Sequence, residues 1–133
     1  MAADDDSPGR DALGELIGIE HLDAGEDFAR ARIPVSDRIL QPYGLVHGGV
    51  YPVLAEIVSS KATHEAVSGE GKAAFGQSNN VTFLRPISEG HVNADARARH
   101  RGRTSWVWQV ELTDDDGRLC ALAQVVVAVR ERR

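Results

Sequence analysis

The sequence predicts an α+β fold in which an antiparallel β-sheet wraps around one long central α-helix. Three observations predict it. From residue 50 onward, Val50, Val53, Leu54, Ile57 and Val58 recur at helical spacing. One segment of strand character precedes this helix and four follow it. Turn signals separate the later segments at hairpin spacing, so neighbours pair antiparallel, and the twist of such a sheet lets it curl around one helix.

Residues 1–9 are polar and acidic, with Asp4-Asp5-Asp6, and read as a disordered tail. Residues 10–133 read as one domain, long enough to bury a core without staples. Residues 10–17 predict a short helix with Leu13, Leu16 and Ile17 turned inward. Residues 18–25 read as a loop or the start of a strand. Residues 28–35 alternate with period two and give the first strand. Residues 36–40 lead into Gln41-Pro42-Tyr43-Gly44-Leu45-Val46-His47-Gly48-Gly49, a glycine-rich turn that opens the central helix. Pro52 falls in the helix's first turn, where its missing N–H is no loss. Ser68-Gly69, with Gly71 behind it, supplies the stop.

Residues 73–84 form the next strand, broken by Arg85-Pro86. Residues 91–101 alternate through Val92, Ala94, Ala96 and Ala98. Gly102 and Arg103 turn the chain into residues 104–113, rich in Trp, Val and Leu. Asp114-Asp115-Asp116-Gly117 is a hairpin signal. Residues 118–129 close with an unbroken Val125-Val126-Val127-Ala128-Val129 run that implies burial. A single sheet around one helix leaves a face or an edge uncovered, and dimerisation is the expected remedy.

Composition narrows the function. Hydrophobic residues make up 42% of the 133 and the net charge is −5, which disfavours non-specific nucleic-acid binding. No apolar segment resembles a signal peptide or is long enough to cross a membrane. Cys120 is the only cysteine, so no internal disulfide can form and a cytoplasmic location is expected. Cys120, Trp106 and Trp108 read as core. His21, His47, His64, His91 and His100 show no metal-ligand spacing.

Glu56 is the anomaly. On a helical wheel it flanks the apolar stripe, with Ser60 one turn on. A carboxylate there is either a solvated boundary residue or a catalytic group facing a pocket. His47 is either a polar group at the reacting centre or a residue bonded to its own loop. Gly48 and Gly49 are either turn glycines or an oxyanion site, where the Gly48 N–H, at the positive end of the helix, meets a carbonyl oxygen. Gln41 could add a second donor to that oxygen. Among the arginines of the strand half, Arg85 and Arg103 sit at turns and Arg133 is terminal, so a few could converge on phosphate.

Gly44-Leu45-Val46-His47-Gly48-Gly49 followed by Leu54-Ala55-Glu56 resembles the hotdog-fold acyl-CoA thioesterases. The likeness continues through Gly76-Gln77-Ser78-Asn79, Phe83-Leu84-Arg85-Pro86, Glu89-Gly90-His91-Val92, residues 114–121 and Ala128-Val129-Arg130. It covers roughly residues 33–133 and is strongest toward the bacterial 4-hydroxybenzoyl-CoA thioesterases that carry a catalytic glutamate on the central helix. The resemblance implies a homotetramer, a dimer of dimers with active sites at subunit interfaces, and no metal or redox cofactor. It implies that Glu56 is the catalytic carboxylate, Gly48 the backbone donor to the thioester carbonyl, Gln41 its side-chain helper, and Ser60 a hydroxyl near the attacking water. Arg85, Thr104 and Arg133 match positions that contact the CoA nucleotide, and His47 belongs to the substrate-binding turn.

Two residues depart from the family pattern. Arg103 stands where a small polar CoA contact is expected. Lys61 stands where an acid is expected near the aryl para substituent, and the wheel turns it into the apolar stripe. The expected activity is therefore hydrolysis of an aryl-CoA by Glu56, as nucleophile or general base. The rivals are a non-catalytic acyl-CoA-binding protein and an enoyl-CoA hydratase or dehydratase.

Overall fold

The computed structural model describes residues 9–132. Most of the expected tail, residues 1–8, and the terminal Arg133 lie outside the described residues. The elements are α1 (Ala12–Ile17), β1 (Glu20–Ala24), β2 (Phe28–Pro34), α2 (Val50–Val67), β3 (Lys72–Phe83), β4 (His91–Arg101), β5 (Ser105–Thr113) and β6 (Leu119–Glu131). One antiparallel sheet runs β1-β2-β4-β5-β6-β3, and α2 packs against β2 through β6. This is the α+β hotdog architecture. β1 settles the open reading of residues 18–25: Glu20 pairs opposite Arg32, and the Arg32 Nε donates to its carboxylate at 2.6 Å.

The strand patterns explain how the helix fits. Ala31 lies opposite Ala94 and Ala29 opposite Ala96, all buried. These small side chains keep the inner face of β2 and β4 low. β5 and β6 carry the bulk, with Trp108, Val110, Leu112, Val125 and Val127 buried. The Trp108 indole N–H donates to Thr63 Oγ1 at 2.8 Å, and the Thr63 hydroxyl donates to the Ser59 carbonyl at 2.8 Å. A buried indole is thereby satisfied, and the sheet is tied to the helix. Both tryptophans and Cys120 are core, as expected. Gly71, at φ 73°, rather than Gly69, takes the left-handed conformation that ends the α2 region.

Two packing expectations fail. Leu13 and Leu16 are 53% and 60% exposed, and only Ile17 of that trio packs on the core. The other concerns α2. Its buried face carries Tyr51, Leu54, Ala55, Val58, Ser59 and Thr63, well rotated from a stripe centred on Val50, Leu54 and Ile57. Apolar residues lie on two sides of the helix and the buried face itself includes Ser59 and Thr63, so periodicity cannot choose the face. Val50, Val53 and Ile57 stay half-buried. Lys61 consequently does not point into a stripe; it is exposed and its Nζ pairs with the Glu65 carboxylate one turn on.

β3 is one edge of the sheet. Its register against β6 shifts between Gly76 and Ser78, marking a bulge at Gln77. Phe75 and Phe83 are exposed on it.

Candidate active site

The start of α2 is held by a compact loop. Gln41 N donates to Leu45 O at 2.8 Å, Gly44 N to Gln41 O at 3.0 Å, and His47 N to Ile39 O at 2.8 Å. Gly44 adopts φ 81° inside that turn. The Gln41 Oε1 accepts from Tyr43 N, which leaves its Nε2 without an acceptor among the described residues. The Gly48 and Gly49 N–H groups also have none, and no side chain caps the helix. The result is a set of open donors at the positive end of an 18-residue helix. A cavity of ≈ 350 Å³ opens there, lined among others by Gln41, Gly48, Tyr51, Phe83 and Arg85. Phe83 covers Gly48 closely enough that an added Cβ would sit 3.5 Å from its ring. Three of the expected site residues, Gln41, Gly48 and Arg85, thus share one cavity.

Glu56 lies further along α2, exposed, with no ion pair and no hydrogen bond among the described residues. Its carboxyl group rests on Gly76 of β3. A Cβ built at Gly76 would lie 2.9 Å from Glu56 Cδ and 3.0 Å from Oε2. Only glycine allows this approach. Ser60 Oγ, one turn on, is buried without a partner among the described residues, as is Ser59 Oγ. Glu56 follows Gly48 by eight residues, about 12 Å along the helix axis at 1.5 Å per residue. One protomer therefore does not bring its own Gly48 and Glu56 to the same carbonyl group.

The remaining candidates scatter. His47 is exposed, and its carbonyl accepts from Val50 N at 3.0 Å. Arg103 lines a different cavity of ≈ 470 Å³ with Glu70, Lys72, Arg101 and Trp106. The Thr104 carbonyl accepts from Arg130 Nη1 at 2.8 Å and from Val129 N at 2.9 Å. Arg85 N donates to Cys120 O at 3.0 Å. Cys120 and Val129 are nine residues apart on β6, about 30 Å at 3.3 Å per residue. Arg85 and Thr104 are thus at opposite ends of the sheet within one chain. Arg133 lies outside the described residues.

Sequence reasoning missed two contributors, Gly76 as the seat of Glu56 and Asn79 as a polar group facing α2. A glycine inside a strand pattern was the available signal for the first. Among the described residues no group of three or more His, Cys, Asp or Glu is placed to hold a metal ion, and no helix is long and apolar enough to cross a membrane.

Comparison with known proteins gives the family of the chain. The chain matches the Thioesterase superfamily over residues 43–121. It is 38% identical to the 1,4-dihydroxy-2-naphthoyl-CoA hydrolase of Escherichia coli over 121 residues, 87% of each chain. It is 34% identical to the proofreading thioesterase EntH of Cronobacter turicensis over 117 residues, 88% of this chain and 85% of that one. Among solved structures, a thioesterase from Haemophilus influenzae superposes with a TM-score of 0.86 at 35% identity, covering 91% of this chain and 84% of the other. The chain belongs to the thioesterase superfamily, as a hotdog-fold acyl-CoA thioesterase.

Proposed function

We propose that this thioesterase hydrolyses an aromatic acyl-CoA, 4-hydroxybenzoyl-CoA or a related aryl-CoA, to the free acid and CoA. The observation that carries the chemistry is the Glu56 carboxylate, unpaired among the described residues, seated on Gly76 and one turn from the unpartnered Ser60 hydroxyl. The Gly48 N–H and the Gln41 Nε2 donate to the thioester oxygen and stabilise the charge that develops there. Glu56 either attacks the carbonyl carbon or takes a proton from the attacking water. Water and protein groups suffice for both routes, without a metal or redox cofactor. The aryl preference is supported by the naphthoyl-CoA hydrolase named among the relatives.

The site is composite in this reading. The roughly 12 Å between Gly48 and Glu56 along one helix is bridged by pairing two chains, so that Glu56 of one works on a carbonyl held by Gly48 of the other. The uncovered edge of β3 and the half-buried Val50, Val53 and Ile57 supply surface for that contact. A dimer of such dimers, a homotetramer, brings Arg85 of one chain and Arg103, Thr104 and Arg133 of another to the CoA nucleotide. His47 borders the acyl-binding turn and Lys61 the distal end of the aryl group. The enzyme is cytoplasmic in this reading, consistent with its lone buried Cys120.

The test is a substrate panel followed by free thiol release. Benzoyl-CoA and 4-hydroxybenzoyl-CoA should give kcat/KM at least about tenfold above a fatty acyl-CoA of similar size, a discrimination within reach of pocket shape. Glu56→Ala should lose roughly three orders of magnitude in kcat and still bind the substrate. Fatty acyl-CoA turned over equally well would remove the aryl assignment. A Glu56→Ala enzyme within tenfold of wild type would remove Glu56 from the chemistry.

A further inference from the structure

Asn79 is a polar residue in a place where the fold needs none. β3 places Gly76 opposite Val127 and Asn79 opposite Val125, and both valines are buried on the inner face of the sheet. Directly opposed residues point to the same face, so Gly76 and Asn79 both face α2. The bulge at Gln77 is what brings Asn79 inward; in a regular strand the side chain two residues after Gly76 would be that of Ser78. The two inward positions meet successive turns of the helix. Gly76 meets Glu56, and the Asn79 Nδ2 donates to the Pro52 carbonyl at 2.8 Å. Pro52 and Glu56 are one turn apart, so Asn79 and Gly76 engage successive turns on one side of α2.

That hydrogen bond fixes which way the amide points. A flipped Asn79 would set its oxygen against the Pro52 oxygen. The Asn79 Oδ1 is therefore the free end, and it is buried with no hydrogen-bond partner among the described residues. A buried acceptor left unmatched is costly, whereas a water molecule beside it would satisfy it.

We propose that Asn79 orients the hydrolytic water. The inference rests on the reading of Glu56 given above and decides between its two routes. A water in the crevice donates one hydrogen to the Glu56 carboxylate and the other to Asn79 Oδ1. Both its hydrogens are then fixed, and a lone pair is free to attack. The water oxygen bonds to the acyl carbon as Glu56 takes its proton. The tetrahedral intermediate then expels the CoA sulfur, which takes that proton and leaves as the thiol. Glu56 is thus a general base. Ser60 lies one turn on from Glu56, but its hydroxyl can donate as well as accept, so of the two it is Asn79 Oδ1, an acceptor only, that fixes the direction of the second water hydrogen.

The experiment uses the full chain with an aryl-CoA. Asn79→Leu keeps the bulk and removes both amide functions. Its kcat should fall about ten- to a hundredfold, in the range of lost general-base geometry, with KM within about twofold. Asn79→Asp places a second carboxylate beside Glu56. The acid limb of its kcat/KM profile should move up by about one pH unit, because a like charge opposes ionisation. That shift reports that position 79 lies close to Glu56, and the kcat loss in Asn79→Leu at unchanged KM reports the positioning role. An unmoved limb in a folded Asn79→Asp enzyme, or Asn79→Leu within threefold of wild type, overturns the proposal. If Asn79→Leu does not fold, Asn79→Ala, which also lacks the amide, takes its place and must show the same loss of kcat. Inactive Glu56→Ala beside unaffected Asn79 variants removes only this inference; wild-type protein that releases no thiol removes the function and the inference together.

Discussion

The β5–β6 turn and the seam between α2 and β3 are both rich in polar groups, and they treat them in opposite ways. At the turn everything is matched. The Asp114 carboxylate accepts from Asp116 N at 3.0 Å, Arg118 N at 2.9 Å and Arg118 Nε at 2.7 Å. Asp115 accepts from Asn93 Nδ2 at 2.9 Å and lies 2.9 Å from His91 Nδ1. Burial pushes the Asp114 carboxyl up, but the hydrogen bonds and charge of Arg118 outweigh it and hold the group below the usual carboxylate range. Hydrogen bonds from Asn93 and His91 do the same for Asp115. At the seam, Glu56 has no partner among the described residues, and Ser59 Oγ, Ser60 Oγ and Asn79 Oδ1 are buried without one. Matched polar groups shape a turn. Unmatched ones beside a carboxylate are costly to stability and leave bonds free for a ligand.

Substitutions can test that contrast by separating activity from stability. After the loss of Glu56 itself, the largest effect should come from Gly76→Ala. The new methyl would sit 2.9 Å from Glu56 Cδ, and a flexible carboxylate can swing away at little cost in folding. The cost falls on positioning, where a shift of about 1 Å is worth roughly a hundredfold. Expected values are a kcat loss of about ten- to a hundredfold with the melting temperature nearly unchanged. A large melting shift with normal kcat would mean that Gly76 is structural and the seam no different from the turn.

Arg85→Ala should come next, with a smaller and different signature. Arg85 lines the cavity with Gln41 and Gly48, and its proposed partner is a CoA phosphate. KM should rise about tenfold while kcat at saturation holds, the mark of lost uniform binding. A short pantetheine thioester, which lacks the nucleotide, should be turned over equally by both enzymes. Equal losses on the two substrates would contradict a nucleotide role.

The turn should respond in the other currency. Asp114→Asn removes the charge that organises Arg118, so the melting temperature should fall by roughly 4–8 °C while kcat stays within twofold. The sign of the pH dependence follows from the lowered pKa. The Asp114 contribution is complete above the ordinary carboxylate range and is lost as pH falls through the folded-state pKa. The melting gap between wild type and Asp114→Asn should therefore be widest near neutrality and close on acidification. A gap that widens in acid would overturn the assignment.

The same contrast explains what the sequence could disclose. Alternation in residues 91–101 and the Asp114-Asp115-Asp116-Gly117 signal are local, and β4 and the turn emerged where expected. The family motif located Gly48, Gln41 and Arg85, and the structure gathers them in one cavity. What stayed hidden depends on which face meets which. α2 is apolar on two sides, so the wheel placed its buried face near Val50 and Ile57 when Leu54, Ala55 and Val58 carry it. The bulge at Gln77 reverses the facing of Ser78 and Asn79, and no alternation rule anticipates one extra residue. The exposure of Leu13 and Leu16 was equally unreadable, because a six-residue helix buries too little to dictate its own orientation.

Lys61 gives the smallest expected effect and the finest test. An acid was expected at its position, near the distal end of the aryl group, and the lysine is exposed with Glu65 as its partner. An exposed pair of this spacing is worth only about 0.3–0.5 kcal/mol, little enough for a substrate to compete for the ammonium. We therefore propose that Lys61 exchanges Glu65 for an anionic or acceptor group on the aryl ring. Two variants should move selectivity in opposite directions. Glu65→Gln frees the ammonium and should raise the preference for a carboxylate-bearing aryl-CoA over benzoyl-CoA about two- to threefold, the size of a surface ion pair. Lys61→Glu should lower it by a similar factor and favour a neutral para-hydroxyl donor. Both should leave the melting temperature within a degree or two, because neither residue is buried. If the ranking of para substituents is the same in wild type and in both variants, Lys61 and Glu65 belong with the matched polar groups of the turn, as a surface pair that touches no substrate.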